Sequence, residues 1–129
     1  MTIEQFHAEI NKKVKEVVNY ISREEYDKIL TVASIDASWC GTQERQSDGV
    51  REFSEWLRGQ FALWTEDDGK DYVVDPFIEE NLDILQTEGV YAFATYSATS
   101  DGEMLDFWFE FECAYDEHEQ VKIVFNVNI

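Results

Sequence analysis

Between Thr2 and Ile21 the apolar residues Ile3, Phe6, Ile10, Val14, Val17, Val18 and Ile21 recur at spacings of three and four. That period predicts one amphipathic helix of about five turns. Thr2 and Gln5 stand at the positions of a capping box, and Lys12, Lys13, Lys15 and Glu16 fall on the opposite side. Ser22-Arg23-Glu24-Glu25 has the form of a second capping box, which predicts a short helix with Tyr26, Ile29 and Leu30 facing inward. From Thr31 to Trp39 the period changes to two: Ala33, Ile35, Ala37 and Trp39 alternate with Val32, Ser34, Asp36 and Ser38. A half-buried strand is expected there.

Gly41 to Gly49 is polar and reads as a loop. Asp48 then caps a helix that carries Val50, Phe53, Leu57, Phe61 and Trp64 on one face. Gly59 weakens its second half, so the expected helix reaches to about Gly59. Residues 60–75 remain open between more helix and a hairpin of Phe61–Thr65 with Tyr72–Val74 across Asp68-Gly69. Asp75-Pro76 looks like a helix start, with Asp as N-cap and Pro in the first turn; that helix is expected to run to about Thr87 and stop at Gly89. The remainder reads as a three-stranded meander: Val90–Ala98, Met104–Tyr115 and Val121–Ile129, joined by turns at Ser100-Asp101-Gly102 and Asp116–Gln120.

The apolar rows Leu105, Phe107, Phe109, Phe111, Cys113, Tyr115 and Val121, Ile123, Phe125, Val127, Ile129 need cover, and amphipathic helices supply it. The expected fold is therefore α+β: a mostly antiparallel sheet made of the C-terminal meander plus the 31–39 strand, with helices packed on one face. No repeat or linker interrupts the chain, so residues 1–129 are read as a single domain. The other face of the long strand presents Asp106, Trp108, Glu110, Glu112 and Ala114, with Asp36, Lys122, Asn126 and Asn128 as expected neighbours. An indole among carboxylates has the make-up of a binding centre with a polar rim. The competing reading places Trp108 under residues 60–75 as part of the core.

Charge sharpens that picture. The 129 residues hold 28 acidic and 10 basic side chains, a formal net of −18. Residues 1–30 are nearly balanced at −1, whereas residues 60–120 set 17 acidic side chains against Lys70 alone, a net of −16. A uniform solubility bias would have reached the first 30 residues as well. Such a field disfavours nucleic acid and anionic membranes as partners and favours a basic protein. Asp67, Asp68 and Asp71 add to the acidic surface, and together with Asp106, Trp108, Glu110 and Glu112 they are the expected partner-binding residues.

Chemistry is sparse by comparison. His7 borders the apolar face of the first helix, and His118 lies in an acidic turn with no second His or Cys near it. Glu66-Asp67-Asp68-Gly69-Lys70-Asp71 has the composition of a calcium loop but neither its register nor its terminal bidentate Glu. Cys40 lacks a base, and Cys113 falls on the apolar face. There is no phosphate-cradling glycine loop and no GxSxG. No cofactor, metal, disulfide or catalytic centre is expected. No apolar run is long enough to span a bilayer and no signal pattern opens the chain, so a cytoplasmic protein with reduced thiols is expected.

The amphipathic first helix, Ile3–Ile21, and the acidic meander, Leu105–Ile129, resemble in architecture the small acidic immunity proteins that guard bacteria against polymorphic or contact-dependent toxins. The resemblance implies cytoplasmic residence, no catalysis, and a tight one-to-one complex with a toxin domain, often a nuclease. Two other readings share the composition: a phage or plasmid DNA mimic that blocks a restriction or CRISPR protein, and a small enzyme or ligand-binding domain whose acidity is incidental. The chain is expected to be a monomer or a homodimer.

Overall fold

The computed structural model describes residues 1–36 and 45–127. Its elements are α1 (Ile3–Ser22), a 3-10 turn (Tyr26–Thr31), β1 (Ser34–Asp36), α2 (Gln46–Asp68), β2 (Leu82–Gln86), β3 (Tyr91–Ser100), β4 (Glu103–Tyr115) and β5 (Val121–Asn126), with a further 3-10 turn at Glu79–Asn81. The fold is α+β. The five strands form one sheet in the order β1-β5-β4-β3-β2. It is a mixed sheet: β2, β3, β4 and β5 pair antiparallel in sequence, and β1 joins β5 in parallel.

α1 forms as its pattern predicts. The Thr2 side chain accepts from the Gln5 N–H, and the Gln5 side chain accepts from the Thr2 N–H, closing the capping box. Phe6, Ile10, Val14, Val17, Val18 and Ile21 are buried, whereas Ile3 at the helix start is 56% exposed. The second capping box does not form. Ser22 is still the last residue of α1, Glu24 adopts a left-handed conformation at φ 59°, and the Glu25 carboxylate takes Arg23 and Lys28 instead of capping a helix. Of the 31–39 strand, Ser34–Asp36 is present with Ile35 buried; residues 37–39 lie outside the described residues, as do residues 41–44 of the expected loop.

α2 begins before Asp48 and continues well past Gly59. Its N-cap is Arg45, and Asp48 sits inside the first turn. Continuous helix replaces the possible hairpin because of what the last turns bury. Phe61 and Trp64 pack on Phe107 at ring-centroid distances of 6.3 and 6.2 Å, and on Tyr72 at 5.8 and 5.4 Å. That aromatic burial outweighs the cost of one helical glycine, about 1 kcal/mol. Asp68-Gly69 is then used as a helix stop: Gly69 takes φ 75° and returns its N–H to the Thr65 carbonyl.

The expected 75–87 helix is the largest correction. Asp75 does not cap a helix; its carboxylate ties residues 73–78 to the β3–β4 turn. Oδ2 accepts from the Thr99 hydroxyl at 2.7 Å and the Gly102 N–H at 2.9 Å, and Oδ1 accepts from the Asp101 N–H at 3.0 Å. Beyond it, Leu82–Gln86 pairs with β3, from Leu82 opposite Tyr96 to Gln86 opposite Ala92. Apolar residues at 77, 78, 82 and 85 fit a helix face, but Leu82 and Ile84 also fit a strand, and an available β3 edge decides the matter.

Burial of Asp75 pushes its carboxyl up, yet the hydrogen bonds from Gly102, Thr99 and Asp101 together outweigh that and hold it below the usual carboxylate range. A lowered folded value means that the stabilisation is complete above the unfolded value, near 4, and is lost as the pH falls through the folded one. Asp75→Asn, which offers one acceptor oxygen where two are used, should cost about 2 kcal/mol at neutral pH. Thermal melts at pH 7 and at pH 3 should show the gap from the parent protein narrowing in acid; a gap independent of pH would contradict the assigned role.

Both helices contact one face of the sheet. Phe6 of α1 meets Tyr115 edge-on at 4.8 Å, and Phe53 of α2 meets Phe109 and Phe125 at 6.0 and 5.1 Å. Residues 73–78 close the same side: Val74 is buried, Phe77 stacks on Tyr96 at 5.3 Å, and Asn19 of α1 accepts from the Phe77 N–H. The strand residues of this layer, including Ala92, Ala94, Tyr96, Phe109, Phe111, Ile123 and Phe125, are buried. Among the described residues nothing covers the opposite face.

Candidate functional site

Strand registers set out the open face in rows that run across the sheet. One row is Asp83, Thr95, Glu110, Asn126 and Asp36, taken from β2 to β1. The next is Leu85, Phe93, Glu112, Val124 and Ser34. A third holds Tyr91, Ala114 and Lys122, and Trp108 stands opposite Ser97 on the far side of the acidic row. Rows are about 6.7 Å apart along the strands and neighbouring strands about 4.8 Å apart.

Trp108 is not buried beneath α2 or residues 69–75. It is 51% exposed, and its Nε1–H donates to Glu110 Oε1 at 2.8 Å. That bond holds the indole against the strand and leaves one flank of the ring in water. Glu110 has neutral partners on both sides, Thr95 and Asn126, while Glu112 has the apolar Phe93 and Val124. Among the described residues no basic side chain lies within ion-pairing distance of either carboxylate. Like charges a row apart with no cation between them repel, a cost that a basic partner would relieve. Lys122 and Asn126 occupy this face as expected; Asn128 lies outside the described residues.

The remaining predicted residues gather elsewhere. The β3–β4 register shifts between Ser97 and Thr99, and Asp106 falls in that irregular stretch of β4. There it lines a cleft of about 250 Å³ together with Asp67 and Asp68 from the end of α2, Glu103, Trp64 and Tyr72. Asp106 therefore belongs with the helix-end acids more than with the row that holds Glu110. Asp71 is exposed beside the cleft in sequence but does not line it. Asp68 accepts from the Tyr72 hydroxyl and from the Lys70 N–H. The hydrogen bond to Asp68, then burial, then the charges of Asp68, Glu103 and Asp106 push the Tyr72 phenol up to about 12. Glu66, Asp67 and Asp68 occupy the last turn of α2 with no basic residue, at the end of the helix dipole that disfavours anions. This stretch is a helix terminus, not a calcium loop.

Among the described residues the other candidate groups have structural surroundings; Cys40 lies outside the described residues. Burial, followed by the charge of Glu112, pushes the Cys113 thiol up to about 12, which leaves no thiolate at neutral pH. His7 pairs through Nε2 with Gln86 Oε1 at 2.8 Å. The Asp116 carboxylate accepts from the N–H groups of His118 and Gln120, and the His118 side chain projects into solvent within an ordinary Asx turn. Among the described residues no group of three or more His, Cys, Asp or Glu side chains could hold a metal ion, and no helix is long and apolar enough to cross a membrane.

Sequence reasoning missed the apolar part of the open face. Leu85, 66% exposed, falls within the expected 75–87 helix, and the pattern of Val90–Ala98 does not say which of its sides faces out. β3 turns Ala92, Ala94 and Ala98 inward and Tyr91 and Phe93 outward. Size alone argues the reverse orientation, and only the pairing with β4 reveals the true one. Comparison of the chain with protein-family models, with curated proteins and with solved structures finds no match in any of the three.

Proposed function

We propose that the chain is a non-catalytic, cytoplasmic, acidic binding protein of the immunity type, which neutralises a basic toxin domain, most simply a nuclease, by covering it with the open sheet face. The observation that carries the reading is the exposed Trp108, fixed to Glu110, with Glu112 one row further on, on a face that neither helix covers. An aromatic anchor inside a charged rim is how protein interfaces concentrate binding energy. A nuclease cleft that binds phosphate is basic, so the two potentials are complementary. The acidic cleft of Asp67, Asp68 and Asp106 widens the negative surface beyond the sheet.

The basic toxin domain that this reading calls for should form a one-to-one complex with the chain and lose its activity in that complex. Its association should slow by tenfold or so between about 10 mM salt and physiological ionic strength, where the screening length falls from about 30 to 8 Å, while dissociation changes little. Stopped-flow mixing across that range is the measurement. A flat association rate, or a complex that leaves the toxin active, overturns the reading.

A further inference from the structure

Beside the acidic row the open face carries a hollow of about 470 Å³, walled by Tyr91, Phe93, Ala114 and Val124 and bordered by Glu112 and Lys122. Its wall is mostly apolar, and the apolar surface extends through Leu85 to the β2 edge, with Leu85 and Tyr91 66% and 60% exposed. Exposed apolar side chains clustered on one face mark a contact surface more often than scattered ones do. The face is thus built of two lines of different chemistry: Leu85, Phe93 and Val124 on one, Asp83, Glu110 and Asp36 on the other.

We infer that this face receives a basic amphipathic helix of the partner, laid across the strands, with its apolar stripe over the Leu85–Phe93–Val124 row and Lys or Arg side chains over the Asp83–Glu110–Asp36 row. The inference rests on the binding-face reading above and adds the occupant's chemistry. An extended peptide directs alternate side chains to opposite faces, so it offers the sheet one line at a time. A helix presents an i, i+3, i+4, i+7 stripe with a flanking line beside it, which matches two adjacent rows. Five strands span about 19 Å, the length of about 13 helical residues. Glu112 interrupts the apolar row at its centre, so the stripe needs one cation opposite it. A second copy of this chain is the poorer occupant, because it would bring two acidic rows together in a protein of net charge −18.

The test uses a synthetic helical peptide of about 14 residues, with a Leu stripe broken by one central Lys and flanked by Lys. Its comparison is a peptide of the same composition in scrambled order. The striped peptide should bind at least about tenfold more tightly by calorimetry. Leu85→Glu and Tyr91→Glu then separate apolar docking from charge attraction. Both positions are exposed, so melting temperature should hold, and both raise the negative charge. Apolar docking requires the striped peptide to weaken about tenfold on these variants. Equal or tighter binding, or equal binding of the two peptides, overturns the inference. So does self-association in sedimentation that Leu85→Glu abolishes, since the occupant would then be a second copy. If toxin binding collapses in Trp108→Ala but is unmoved in Leu85→Glu, the helix inference alone fails; if neither variant affects it, the binding-face reading fails with it.

Discussion

Replacing Trp108 with Ala should lower affinity for the partner by at least about thirtyfold, roughly 2 kcal/mol, while costing the fold less than a core truncation would. The separation follows from the site. Half the indole surface is already in water, and its polar contact is to Glu110, itself on the solvent side. Its covered half lines only a small gap of about 10 Å³ shared with Phe53, Trp56 and Phe107, so a loss of about 1–2 kcal/mol in unfolding free energy is expected, short of a full core truncation. In a complex, the same ring would be desolvated beside the Glu110 carboxylate and would take a hot spot's share of the energy. Reversing Glu110 and Glu112 to Lys should weaken binding further, because each would set like charge against a basic partner. Those reversals should also leave the melting temperature unchanged or slightly raised, since the two carboxylates have no cation to lose. Affinity and unfolding midpoint must be measured on the same preparations. Intact affinity in Trp108→Ala would remove the sheet face from the binding role.

Phe53→Ala should show the opposite pattern. Phe53 is 1% exposed and is the point where α2 meets the sheet, with rings of Tyr26, Phe109 and Phe125 around it at 6.1, 6.0 and 5.1 Å. Truncation removes a full aromatic side chain from a packed site and leaves a cavity, a loss of about 3–5 kcal/mol. For a domain whose total stability lies in the range of about 5–15 kcal/mol, that is a large fraction, and the melting temperature should fall by about 10–20 °C. Affinity per folded molecule should survive, because Phe53 lies beneath the face opposite the rows that carry Trp108 and Glu110. Equal damage to affinity and stability would mean that the two faces are mechanically coupled.

The two variants together locate the boundary between what holds the chain and what it presents. The core layer runs from Phe6 and Phe53 through Phe109 and Phe125, filled by edge-to-face rings and by the stacked pair Phe111–Phe125. The presented layer is one strand's thickness away. Such closeness is inherent in a single-sheet protein, since alternate residues of β4 serve opposite purposes: Phe107, Phe109 and Phe111 build the core, while Trp108, Glu110 and Glu112 face out.

Much of this was legible in the chain itself. The three-and-four spacing from Phe6 to Ile21 is a long signal of one period, and it produced α1 with its capping box. The long alternation from Leu105 to Tyr115 likewise determined which side of β4 is buried and placed Trp108, Glu110 and Glu112 on the other. The concentration of acid in residues 60–120 is a property of the sequence alone. Local information failed where a segment was short or where its polar group had two possible uses. Asp75-Pro76 has the chemistry of a helix cap, but the same carboxylate serves better as acceptor for three donors at the β3–β4 turn, which is 24 to 27 residues away. Leu82–Gln86 is too short for its period to speak, and the free edge of β3 made it a strand. Gly59 argued for a helix end, and aromatic packing against Phe107 and Tyr72 overrode it. Asp106 kept its place in the alternation but not in the site, because the register shift in β4 moved it to the cleft with Asp67 and Asp68. The sequence by itself thus determined the amphipathic elements and the charge, which depend on neighbours within a few residues. Only the tertiary structure decided the apolar row of Leu85, Phe93 and Val124 and its place beside the acidic one, because a row across a sheet is made by hydrogen-bond register between strands distant in the chain, and no local period records it.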